Sequence, residues 1–143
     1  MLKALANTWQ QLHGELGSKI KAPSVTRSEF NQFCASLTAT TNVIQWGNAS
    51  VWKVGGKIFA ICSVWGDDNE DKVAFKCSDL SYSLLSDQEG FRPAPYLARA
   101  KWIQVTKSKA LTDDELRDYI SAAHKIISAK LTRKQQADLG LID

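Results

Sequence analysis

Two adjacent glycines, Gly55-Gly56, constrain the fold of this chain more than any other feature. They stand between two β-like runs, Ser50–Val54 and Lys57–Val64. A two-residue glycine loop accepts the positive φ angles of a tight hairpin, so the runs are predicted to pair antiparallel. With that turn Val54 pairs with Lys57, and Trp52 with Phe59. Strand side chains alternate between faces. Trp52, Val54, Phe59 and Ile61 are therefore predicted on the core face, and Val51, Lys53, Ile58 and Ala60 on the other.

The rest of the chain is read outward from that hairpin. Upstream, Thr26-Arg-Ser-Glu29 is a capping box that starts a helix carrying Phe30, Phe33, Cys34 and Leu37 on one face. Thr41–Gln45 is a predicted strand. Downstream, Lys72–Cys77 is another, with Val73, Phe75 and Cys77 on one side, and Ser78 caps a short helix to Leu85. Arg92-Pro-Ala-Pro95 is predicted extended and stiff, because proline fixes its own φ and restrains its predecessor. Lys101–Thr106 is the last strand: if Ile103 and Val105 face the core, Trp102 and Gln104 point the other way. Thr112-Asp-Asp-Glu115 is a second capping box, heading a helix with the stripe Leu116, Tyr119, Ile120, Ala123, Ile127 and Leu131. A short helix over Thr132–Leu139 closes the chain before Gly140. The fold class expected is α+β, two-layered: about five mainly antiparallel strands with helices on one face.

Residues 1–22 form a separate N-terminal helical extension to the domain at 23–143. Leu2, Leu5, Trp9, Leu12, Leu16 and Ile20 recur at helical steps of three and four. That stripe is expected to dock on the body or on a second copy, giving a homodimer. Lys19-Ile-Lys-Ala-Pro23 reads as the linker.

At 143 residues the chain can bury a full core without disulfides or metal. Cys34, Cys62 and Cys77 are odd in number, unpaired by spacing and set among apolar residues, so they read as core thiols in a reducing cytoplasm. No run approaches the ~18 apolar residues of a membrane span, and no membrane partner is expected.

Recognisable catalytic chemistry is missing. His13 and His124 have no third ligand beside them, which speaks against zinc or a histidine-based triad. His124 borders the last long helix's stripe and reads as structural. Asp67-Asp-Asn-Glu-Asp71 opens like a calcium loop, but Lys72 stands where that loop needs glycine and Ser78 where it needs glutamate. It reads as a solvated turn. No glycine-rich phosphate cradle occurs. No catalytic residue, metal or cofactor is expected, and the protein reads as non-enzymatic.

Cations interleaved with aromatic rings remain. The net charge of +3 is too small to imply a polyanionic partner by itself. Its distribution is more telling: Phe91–Thr112 holds five cations, Arg92, Arg99, Lys101, Lys107 and Lys109, and no acid. A second basic run follows at Lys125, Lys130, Arg133 and Lys134. Rings stack on bases and cations meet phosphates. The candidate binding residues are Trp46, Trp52, Lys53, Lys57, Lys76, Arg92, Tyr96, Arg99, Lys101 and Trp102.

The chain resembles the MmcQ/YjbR family. The resemblance rests on Thr26-Arg-Ser-Glu-Phe30, Val43-Ile-Gln-Trp-Gly47, Val51-Trp-Lys-Val-Gly-Gly-Lys-Ile-Phe-Ala60, Phe75-Lys-Cys77, Arg92-Pro-Ala-Pro-Tyr-Leu97, Lys101-Trp102 and Leu131-Thr-Arg-Lys-Gln135. It implies a compact α+β fold like that of type III secretion chaperones and frataxin-like domains, sometimes called a double wing. It also implies DNA binding. Two readings follow. In the first, Arg92, Arg99, Lys101 and Lys57 contact DNA phosphates while Tyr96 and Trp102 stack or wedge. In the second, Trp46, Trp52, Lys76, Arg92 and Trp102 line one pocket for an anionic small molecule, or the module binds a protein partner.

Overall fold

The computed structural model describes residues 26–64, 70–95, 97–106 and 110–142. The predicted N-terminal helix, its linker, Trp65-Gly66, most of the acidic turn and Tyr96 lie outside the described residues. The elements in order are α1 (Arg27–Ser36), β1 (Thr40–Gln45), β2 (Ala49–Val54), β3 (Lys57–Val64), β4 (Asp71–Lys76) and α2 (Asp79–Ser86). Then come β5 (Phe91–Pro93), a 3-10 turn (Ala98–Ala100), β6 (Trp102–Val105), α3 (Asp113–Ser128) and α4 (Arg133–Asp138).

The strands form one antiparallel sheet in the order β1-β2-β3-β4-β6-β5. This is the expected α+β architecture, with six strands rather than about five. The added one is Phe91–Pro93, the extended proline segment, which pairs with β6 along the sheet edge. An edge suits it, since proline has no N–H to give a second neighbour.

The four described helix starts carry the caps that local sequence offers. Thr26, Thr112 and Thr132 each accept from the third helical N–H, and Glu29, Glu115 and Gln135 reach back to complete capping boxes. Ser78 caps α2 alone, accepting from Ser81 N–H at 3.1 Å. The helices cover one face of the sheet. Leu116, Ile120, Ala123 and Ile127 of α3 are buried there with Phe30 and Cys34 of α1 and Leu85 of α2. From the sheet come Val54, Phe59, Cys62, Val73, Phe75 and Ile103. Full burial of each large apolar side chain is worth about 1.5–3 kcal/mol.

The hairpin departs from its predicted register. Val54 faces Lys57 and Lys53 faces Ile58, as a two-residue turn requires, but Trp52 faces Ala60, not Phe59. A β-bulge between Trp52 and Lys53 leaves one extra residue on β3. Phe59 and Ala60 consequently both join the helix-side core, and Ile61 passes to the opposite face beside Val51. The predicted grouping of Ile61 with Trp52, and of Ala60 with Val51, is corrected by that single residue. Beyond the bulge the alternation resumes, and Trp102 and Gln104 lie opposite Ile103 as expected.

Candidate nucleic-acid interface

Antiparallel pairing sets which side chains share an end of the sheet. The β2–β3 hairpin, the end of β4, the start of β6 and the end of β5 all lie at one end. Leu131, just past α3, packs under Gly55 and brings the helix C-terminus there too. Lys53, Lys57, Lys76, Arg99, Lys101 and Lys130 therefore converge on this hairpin end. Lys76 sits between the two basic runs. Burial holds its ammonium below the ordinary lysine pKa, and Lys130 and then Lys101 add to the effect, opposed by Asp79. The buried Lys76 Nζ donates to the carbonyl of Ala100, which supplies the acceptor a buried cation needs.

Lys101 is held by its backbone. It closes the 3-10 turn at φ +62, a left-handed conformation that is uncommon for a side chain with a Cβ. Its carbonyl accepts from Cys77 N–H at 2.8 Å, and its Nζ lies 5.0 Å from the centroid of the Tyr82 ring. That cation–π contact ties the end of β4, α2 and the start of β6 to one charge.

The opposite end is acidic. Arg27 pairs with Asp71 at 3.4 Å there and donates to Asn48 O. Glu70, Asp71 and Asp113 line a small cleft at the start of α3, with Lys72 among them. Burial raises the Asp113 carboxyl above its usual range, and Glu29 raises it further. Among the described residues charge is thus graded along the strands, with Asp79 the acid that acts on Lys76 at the hairpin end.

The sequence model of the YjbR family matches residues 35–126, well over half of the chain. This chain belongs to the YjbR family. Solved structures share its fold. One is a Deinococcus radiodurans protein with a DUF419 domain, at TM-score 0.74 and 18% identity, covering 87% of this chain and 94% of that one. Another is a Pseudomonas syringae protein at TM-score 0.60 and 18% identity, covering 71% and 98%. No curated protein matches.

Not every residue marked in the sequence reaches the basic end of this YjbR domain. Lys53, Lys57, Lys76, Arg99 and Lys101 do. Arg92 is exposed on edge strand β5, on the face opposite the helices, beside Gln104. Trp102 is 4% exposed and packs with Val51, Ile61 and Ala94, so its ring offers no open face for stacking. Trp52 is buried on the helix side, where its Nε1 donates to Asn31 Oδ1 at 3.0 Å. Trp46 is 62% exposed but stands in the β1–β2 turn at the acidic end. The pocket of Trp46, Trp52, Lys76, Arg92 and Trp102 is therefore not assembled: these residues lie on two faces and at both ends of the sheet.

Lys130 and Tyr82 were absent from the expected site. Helix spacing placed neither, because only the docking of α3 under Gly55 and of α2 beside β6 brings them in. The cleft beside Lys76, lined also by Cys77, Ser78, Asp118, Tyr119 and Ile126, has about 190 Å³, below the roughly 300 Å³ at which small-molecule sites begin. A wider groove of about 600 Å³ lies between α1, α3 and α4, and Lys125 is the one lysine in its lining. Among the described residues, this wider groove lies away from the cations of the hairpin end.

Proposed function

We propose that this YjbR chain is a non-enzymatic DNA-binding protein that meets phosphates with the hairpin end of its sheet. The observation that carries the reading is geometric: strand pairing brings Lys57 of the hairpin, Lys76 at the end of β4 and Lys101 at the start of β6 to one end of the sheet. Lys53, Lys57, Arg99, Lys101 and Lys130 are the phosphate contacts, with Arg92 on the β5 edge extending them. The buried Trp102 and Trp52 make no base contact in this reading. Binding is backbone-directed and weakly selective for sequence, since phosphate contacts position a protein without reading bases. The acidic end faces away from the duplex.

Fluorescence anisotropy of a labelled duplex tests this, with wild type and with Lys57→Glu/Lys101→Glu at two salt concentrations. The expected affinity falls by about 0.9 log unit per log unit of salt for each phosphate contact, and the double reversal weakens it at least tenfold. No binding at low salt, or binding indifferent to the reversal, would remove the reading.

A further inference from the structure

The face of the sheet turned away from the helices carries an unbroken row across all six strands. Cross-strand pairing aligns Val43, Val51, Ile61, Ala74, Gln104 and Arg92. Its middle is closed to solvent: Val51, Ile61 and Ala74 are 0% exposed and Gln104 is 1% exposed. Yet α1, α2 and α3 bury their apolar residues on the other face. The described residues packed on this one are few, chiefly Ala49, Ala94, Trp102, Ile58 and Leu97. These lie toward the ends and the β5 edge. They do not include an element that spans the row.

The chain itself narrows what does. Only five residues, 65–69, separate Val64 from Glu70 on neighbouring antiparallel strands, too few to cross the sheet and return. Residues 107–109 join β6 to Ala110, which packs against the helix-side core. Residues 1–25 are long enough, and their sequence holds the apolar stripe Leu2, Leu5, Trp9, Leu12, Leu16 and Ile20.

We propose that the N-terminal segment 2–20 of the same chain docks its apolar stripe on the Val51–Ile61–Ala74 row. A helix of twenty residues is about 30 Å long, and six strands spaced about 4.8 Å apart span about 24 Å. The segment is delivered to the right place. It precedes Thr26, the cap of α1, whose neighbour Arg27 is fixed to Asp71 and Asn48 O at the strand ends. Residues 20–25, extended, reach up to about 20 Å, enough to pass round the sheet end to the opposite layer. The row also asks for a polar partner: Gln104 Oε1 is buried with no hydrogen bond among the described residues. The Trp9 indole N–H within the stripe is a donor that would meet that need.

Hydrogen exchange by mass spectrometry on the full chain tests the docking, with molar mass measured by light scattering. In wild type, amides of 2–20 are expected to exchange at least tenfold slower than an unstructured peptide, at concentrations where the protein is a monomer. In Leu5→Asp/Leu12→Asp the protection of 2–20 is lost, exchange in β3 and β4 quickens, and the protein binds a hydrophobic dye while keeping its near-ultraviolet circular dichroism. Unprotected 2–20 in the wild-type monomer would overturn the proposal, whatever the variant does. Protection appearing only with dimerisation would overturn it in favour of a second copy.

Discussion

Leu131 lies so close under Gly55 that a Cβ on the glycine would come 2.6 Å from its Cδ1 and 2.7 Å from its Cδ2. The hairpin and the end of α3 are joined by that contact, and the basic end of the sheet depends on the joint. Gly55 is also at φ +57, where a side chain is strained regardless of space. Gly55→Ala is expected to cost about 1–3 kcal/mol, from overpacking added to backbone strain. In Gly55→Ala/Leu131→Ala the steric part vanishes, so the double variant is less destabilised than the sum of the singles. Urea unfolding of all four proteins measures the coupling, and strict additivity would refute the contact.

A polar knot holds α1 to the first hairpin. Asn31 Oδ1 accepts from Ser50 Oγ at 2.6 Å and from Trp52 Nε1 at 3.0 Å, and Asn42 Nδ2 donates to Ser50 Oγ at 3.0 Å. Ser50 and Trp52 are both buried. Asn31→Ala leaves two donors without their acceptor, at about 1–3 kcal/mol for each unsatisfied group. A loss of at least about 2 kcal/mol is expected, together with a changed Trp52 emission. A neutral outcome by thermal unfolding would mean that Trp52 is placed by packing alone.

These two contacts also mark how far the sequence could be read. Local rules were enough for the caps: Thr26, Ser78, Thr112 and Thr132 start helices because their hydroxyls serve orphan N–H groups three residues on. The Gly55-Gly56 turn and the opposed faces of Ile103 and Trp102 follow from the same short-range geometry. The bulge at Phe59 did not, because one unpaired residue leaves no mark in an alternating run. Its effect is large, moving Ile61 to the other face. Lys130 meets Lys76 across 54 residues of chain, a meeting set by α3 packing on β3 and β4. Trp102 was legible as facing away from the core, yet it is buried on that face in a smaller apolar cluster with Val51, Ile61 and Ala94. Strand alternation tells which side a residue takes and says nothing of what lies beyond it.

The three thiols make stability fall in alkali. Burial raises Cys62 to about 12 and Cys77 to about 11, from an ordinary 9.0, and Cys34 is raised by burial as well. Below pH 9 both states hold the thiol protons and nothing changes. Between pH 9 and about 11 the unfolded chain releases protons that the folded one keeps, so unfolding is favoured as pH rises. Lys76, lowered by burial, acts with the opposite sign, but it is one amine against three thiols. A drop of about 2–4 kcal/mol is expected between pH 8 and pH 10, at up to about 1.4 kcal/mol per pH unit for each thiol. Urea titrations at the two pH values check it. Native protein at pH 8 should also resist thiol-labelling reagent until unfolded, and ready labelling or a flat pH response would contradict the burial of these side chains.

Lys101 allows stability and binding to be separated at one position. Its backbone sits at φ +62, where glycine is free of the roughly 1–2 kcal/mol that a Cβ costs. Its side chain returns about 0.5–1 kcal/mol through the Tyr82 ring. Lys101→Gly should therefore leave stability unchanged or raise it by up to about 1 kcal/mol, while removing one phosphate contact. The slope of log affinity against log salt on duplex DNA is expected to shrink by about 0.9. Lys101→Ala, which keeps the strain and loses the ring contact, should lower stability by about 0.5–1 kcal/mol and reduce the slope equally. Thermal unfolding and anisotropy on the same samples decide it. Equal stability losses in both variants would show that the left-handed turn holds no strain, and unchanged slopes would place Lys101 outside the contact surface.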